Sequence, residues 1–288
     1  EVSGIQFTGN ATVGKNHVIT FSKNSSNCRL TNTAIINYNP ADNAAWAGTD
    51  HKWVTINGKN NRVDHCYFEG KANIGTLLVV WLSEGITPSH KIDNNHFHKR
   101  TPLLDQEGKE LNGQEIIRIG DSATSMTNAN CTIQSNYFDQ CNGEIEIISN
   151  KSCGNYYHNN HFNNNNGMLT LRHGNNCHVY GNYFIGGNQP GSGGVRIIGE
   201  NHKIYNNYFQ DLKGSGYRTA ICIVNGKTNS QPNEYHQVKN ALIIFNTFYN
   251  CQNTFNIGYG GGEDLAPQTT TIAHNLINAT SNKQVGVK

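Results

Sequence analysis

Two glutamates, a lysine and an arginine fall within residues 144–172, in NGEIEIISNKS (142–152) and GMLTLRHG (167–174). Along an extended strand successive side chains point to opposite faces, so Glu144 and Glu146 share one face while Ile145 and Ile147 point the other way, inward. Two adjacent carboxylates repel each other, and one of them holds its proton unless a cation intervenes. The Glu-x-Glu pair is therefore a candidate site for calcium, a hard cation that takes several oxygen ligands. The plainer reading is a solvated salt-bridge patch, which contributes little to stability. Lys151 follows at the turn. Aligning Phe138 with Phe162 puts Glu144 level with Met168 and Glu146 level with Thr170. Arg172 then lies on the same outer face one layer along, roughly 5 Å away.

The elements that position these residues are repeats. A pattern of Asn-x-x-(Ile/Val/Leu)-x-x-Asn-x-Phe runs through NRVDHCYF (61–68), HKIDNNHF (90–97), CTIQSNYF (131–138), NYYHNNHF (155–162), CHVYGNYF (177–184) and HKIYNNYF (202–209). Shorter copies are LIIFNTF (242–248) and TIAHNLI (271–277), with a weaker one, CRLTNTAI, at 28–35. Phe138, Phe162, Phe184 and Phe209 are 24, 22 and 25 residues apart, and elsewhere the interval stretches to as much as 41, as inserted corner loops require. Each unit holds short β-branched or aromatic runs broken by Gly and Asn, with no helical period. Coils of this length describe an all-β, right-handed parallel β-helix of nine or more coils forming a single domain over 1–288. One Asn per coil is expected to stack into a hydrogen-bonded ladder, with Phe and Ile stacked inside the tube. The histidines of NNHF, at 96 and 161, read as outer-face repeat residues.

Composition excludes several classes. A net charge of +2 provides no basic field for nucleic acid. No apolar run reaches the roughly 20 residues of a membrane span. With 13 Tyr and 11 Phe the chain is not compositionally disordered. Eight cysteines form no C-x-x-C pair, which removes the usual zinc motif. Several sit at equivalent repeat positions and read as small buried apolar residues, with disulfide pairing left open. The chain opens EVSGIQFTGN, without initiator Met or leader, and neither end looks like a cap. Part of a longer protein is expected to lie outside it.

NGQEIIRIG (112–120), GEIEIISNKS, LTLRHG, GGVRIIG and NNYFQDLKGSGYR resemble, in order and spacing, polysaccharide lyase family 6, which contains alginate lyases and the dermatan-cleaving chondroitinase B. The Glu-to-Lys and Lys-to-Arg spacings of 7 and 21 residues are part of that match. The resemblance implies calcium at the cleavage site and chain cleavage by β-elimination. It assigns Asn112, Glu144 and Glu146 as calcium ligands, Lys151 as general base and Arg172 as general acid. It assigns His173, Arg196, Tyr217 and Arg218 as substrate contacts, with Arg100 and Lys71 lining the same groove. Alginate is favoured over dermatan sulfate, because NGQEIIRIG and EIISNKS look closer to the alginate-cleaving members. A polymeric anionic substrate implies a secreted or periplasmic protein. Two rivals stand beside this reading. A glycoside hydrolase on the same fold needs paired acids but no basic partner; a non-catalytic polysaccharide-binding β-helix has no need of Lys151 and Arg172.

Overall fold

A computed structural model describes residues 1–11, 17–40, 50–260, 264–279 and 284–287. Thirty strands build three parallel sheets of ten strands each, and every coil gives one strand to each sheet. The first sheet runs from Val2–Ser3 to Thr271–Ala273, the second from Gln6–Ala11 to Leu276–Asn278, and the third from Ile19–Phe21 to Val285–Val287. The architecture is the expected parallel β-helix, with ten coils among the described residues. One 3-10 turn, Gly216–Arg218, interrupts the strands.

The repeat explains the tube. Its Phe enters the interior of the second sheet, where Phe68, Phe97, Phe138, Phe162, Phe184, Phe209 and Phe248 are buried and stack ring on ring. Centroids in the middle of this stack lie 4.6–4.8 Å apart with interplanar angles of 3–6°. Burying one such ring stabilises the fold by about 1.5–3 kcal/mol, and each aromatic pair adds about 0.5–1.5 kcal/mol. The Asn two positions earlier builds the ladder at the corner between first and second sheets. Asn136 donates from its backbone N–H and its Nδ2 to Oδ1 of Asn160, at 3.0 and 3.1 Å. The same pair of bonds joins Asn160 to Asn182, Asn182 to Asn207 and Asn207 to Asn246. Buried amides that satisfy each other in this way specify one stacking register. The residue before each ladder Asn turns the corner with positive φ (Asn159 54°, Gly181 64°, Asn206 54°), a conformation that Asn and Gly adopt at least cost.

All eight cysteines are free, and seven of them are buried. They fill interior and corner sites as small apolar side chains.

Candidate active site on the third sheet

The candidate residues lie on the outer face of the third sheet, on strands Ile117–Gly120, Glu146–Lys151, Met168–His173 and Val195–Ile197. Inward from these strands point Ile117, Ile148, Leu169 and Val195, which follow one another in register. Outward between them runs a second row, Arg118, Ser149, Thr170 and Arg196. Long basic side chains therefore flank two small ones, which leaves a shallow floor.

The register corrects one expectation. Phe138 does pair with Phe162, yet Glu146 pairs with Met168, not Thr170, and Thr170 lies opposite Ser149. The corner between second and third sheets is two residues longer in the coil carrying Glu144 than in the next, so an alignment counted from the Phe ladder slips by two. Two irregularities then re-aim side chains, as β-bulges do. Ile147 is extra in one strand and joins Ile148 in the core, while Ile145, expected inside, is only half-buried. Arg172 is extra in the neighbouring strand, so Lys151 lies directly opposite His173.

Glu144 and Glu146 are both nearly buried, at 7% and 9% exposure, and a third buried carboxylate, Glu115, joins them from the preceding coil. Glu144 Oε1 accepts the backbone N–H of Gln114 at 2.7 Å. Glu115 accepts from Thr76 Oγ1 at 2.7 Å. Burial first, then the charges of Glu115 and Glu146, push the Glu144 carboxyl up to about 8. Glu146 forms an ion pair with Arg196. Asn112 is exposed, two residues before the N–H that Glu144 accepts. An all-oxygen donor set with a buried carboxylate that no ion pair engages among the described residues suits a hard divalent cation such as calcium. Glu115 lay in the NGQEIIRIG motif; its place beside Asn112 was the available signal.

The basic groups cluster beside the carboxylates. Lys151 is half-buried and has no side-chain hydrogen bond or ion pair among the described residues. Its strand end is anchored from inside the tube: Asn150 donates from Nδ2 to the carbonyls of Ser152 and His173, and Tyr157 Oη donates to Asn150 Oδ1 at 2.7 Å. His173 is 2% exposed. Burial, with Arg172 and Lys151 nearby, holds its imidazole down to about 3, so it stays neutral, its Nε2 3.2 Å from Ser122 Oγ. Arg172 donates to the carbonyls of Glu234 (3.0 Å) and Asn233 (3.1 Å) and lies 4.4 Å over the Tyr235 ring. These partners come from the long insertion after strand Ile221–Val224, which stretches one Phe interval to 39 residues. Sequence reasoning registered the insertion but not what it holds.

Arg196 stacks over Tyr217 at 5.3 Å. Arg218, in the same 3-10 turn as Tyr217, is paired with Glu110 and ties that turn to the loop preceding Asn112. Lys71 and Arg100 do not line the groove: each is 1% exposed. Lys71 Nζ donates to the carbonyls of Asn73 and Ile74 and to Asn73 Oδ1, and burial holds it well below the usual lysine range. Arg100 Nη2 donates to the carbonyls of Asn73 and Gly75. Its charge acts on Glu115 and Glu144 from within the wall, as a counter-charge and not a substrate contact.

The family model for chondroitinase B matches residues 1–287. The chain belongs to that family, polysaccharide lyase family 6. Among solved structures it is similar to a mannuronic acid specific family 6 lyase from human gut microbiota (35% identity, TM-score 0.82, covering 91% of this chain and 58% of that one). It is similar also to the family 6 alginate lyase AlyGC (33%, TM-score 0.86, 100% and 43%). A third is the family 6 lyase Pedsa3628 from Pseudopedobacter saltans (28%, TM-score 0.78, 100% and 74%). The chain thus spans 58% and 43% of the first two. No curated protein matches it.

Proposed function

We propose that this chain is the catalytic β-helix of a calcium-dependent polysaccharide lyase that cleaves alginate by β-elimination. The observation that carries the proposal is the bulge at Arg172, which sets Lys151 against His173 and brings both basic groups beside the Glu144–Glu146 carboxylates. Support for the substrate comes from the relatives described as alginate or mannuronic acid lyases.

In this reaction the base removes the proton on C5 of a uronate. The C5–H electrons form the C4–C5 double bond, and the bond from C4 to the linking oxygen breaks. Lys151, in its amine form, takes the C5 proton. Arg172, held by two loop carbonyls and the Tyr235 face, offers fixed positive charge to the departing oxygen. A proton reaches that oxygen from the guanidinium or through water. Neutral His173 donates or accepts a hydrogen bond there without adding charge. Tyr217 and Arg218 stand where neighbouring sugars would lie, and Arg196 meets a sugar carboxylate once it is released from Glu146. Asn112, Glu144 and Glu146 would hold calcium, which supplies positive charge against the uronate carboxylate as it becomes enolate-like. A polymeric substrate places the protein outside the cytoplasm, secreted or periplasmic.

The test is ultraviolet absorbance of the unsaturated uronate product during incubation with alginate and, separately, with dermatan sulfate, each with calcium and with excess chelator. A calcium-dependent rise with alginate supports the proposal, and a rise with dermatan sulfate alone reassigns the substrate. No rise with either, from folded protein, would leave a polysaccharide-binding role.

A further inference from the structure

Strand His96–Arg100 of the second sheet places Phe97 in the core and directs His96 and His98 outward, on a different face from the carboxylate groove. One coil on, strand Tyr137–Cys141 sets Asp139 opposite His98. The ligand atoms of His96, His98 and Asp139 all lie within 4.8 Å of one another, and no other group of three or more His, Cys, Asp or Glu does so among the described residues.

Three details show convergence on a point. His98 Nδ1 and Asp139 Oδ2 are 3.0 Å apart, yet the ring nitrogen makes no correctly directed hydrogen bond. They face a common space more than each other. Nε2 of His96 is likewise buried and without a partner. The His96 ring is fixed edge-on between Tyr67 and Tyr137, at 5.0 Å from each, with interplanar angles of 76°. Asn163 Nδ2 donates to Asp139 Oδ1 at 2.8 Å, which orients the carboxylate and leaves Oδ2 turned to the histidines. Such outer hydrogen bonds commonly fix metal-ligating groups. Four-coordinate zinc, with bonds of about 2.0–2.1 Å, needs ligand atoms roughly 3.3 Å apart, a small adjustment from this arrangement.

We propose that His96, His98 and Asp139 form a binding site for a divalent transition metal, with zinc the ion whose nitrogen and oxygen preference it fits. All three residues are half-buried, so one side is open for water as fourth ligand. The ion would clamp two coils together across the longest interval in the repeat, the 41 residues between Phe97 and Phe138 that carry Asn112 and Glu115. Burial and the nearby His98 hold the His96 imidazole low, which favours the neutral ring that a metal requires. The site is independent of the reaction proposed for the third sheet.

The experiment is titration of metal-free protein with Zn²⁺ by calorimetry, with Co²⁺ as a spectroscopic probe of coordination and thermal unfolding as a second readout. The expected result is one equivalent of Zn²⁺ bound with micromolar or tighter affinity, a visible Co²⁺ spectrum of nitrogen and oxygen ligation, and a raised melting temperature. His98→Ala and Asp139→Asn, both on the outer face, should each weaken Zn²⁺ binding by about a hundredfold or more and remove the thermal gain. The double variant Glu144→Gln/Glu146→Gln should retain both. Absence of Zn²⁺ binding overturns the proposal. So does binding that survives His98→Ala in folded protein, or binding that disappears with the glutamates.

Discussion

Glu146 and Arg196 form a buried ion pair across two coils, joining residues 50 apart in sequence. The arginine reaches past Thr170 to take the carboxylate that a cation at Glu144 would share. Cation and arginine thus compete for Glu146. Breaking the pair with Arg196→Gln leaves a buried charge uncompensated and should destabilise the chelator-treated protein by about 3–5 kcal/mol, read from urea unfolding. Calcium should bind this variant more tightly than the parent in calorimetry. Equal calcium affinity in the two proteins would refute the competition.

Lys151 has no hydrogen bond to lose. Lys151→Ala should lower turnover about 10²–10⁴-fold while the melting temperature and circular dichroism stay unchanged. A variant that kept a tenth of its turnover would show that another group takes the proton.

Glu144 links metal, proton and stability. Its folded value of about 8 lies above its ordinary 4.5. Without metal its contribution to stability is therefore complete below pH 4.5 and is lost as pH rises toward 8, by about 1.4 kcal/mol per unit at most. A cation would favour the carboxylate, so calcium binding near pH 7 should release a proton. Calorimetry in two buffers of different ionisation enthalpy measures that release, and Glu144→Gln should abolish it together with most calcium affinity.

The buried histidines act in the opposite direction. Burial holds His51, His90 and His202 at about 4 and His173 at about 3, against an ordinary 6.5. Their folded values are depressed, so stability is present above pH 6.5 and falls as the unfolded chain takes up protons below it. Urea midpoints should drop between pH 7 and 5, and His202→Asn should reduce that drop. A flat profile over this range would mean that these rings are hydrated in solution.

Gly143 makes room for the site. A Cβ there would come within 2.6 Å of the Gln114 carbonyl and 2.8 Å of Arg100 Nε. Gly143→Ala should displace Arg100 from beneath the carboxylates, lower the melting temperature and weaken calcium binding at least about tenfold, as loss of supporting contacts around a metal does.

The tube and its ladders were legible because the same residue recurs at the same point of each coil. Asn160 and Phe162 announce both the corner and the core, and their neighbours repeat the message. The groove was legible only in its parts. Glu144, Glu146, Lys151 and Arg172 were recognisable by type and spacing, but their register was not, since corner length between Phe138 and Glu146 leaves no periodic mark. Lys71 and Arg100 looked like groove cations because long basic side chains are usually solvated. Nothing local shows that carbonyls of 73–75 receive them. His96 and His98 gave no signal beyond the outer face, because their partner Asp139 stands 41 residues after His98.

The two-residue difference in corner length has a wider consequence. Because each corner lies outside the aromatic stack, lengthening it slides one outward row against the next while the interior keeps its registration. Insertions there act as a vernier on surface chemistry. A solenoid of this kind can acquire, retune or lose a reactive face in single-residue steps without disturbing the spine that makes it fold.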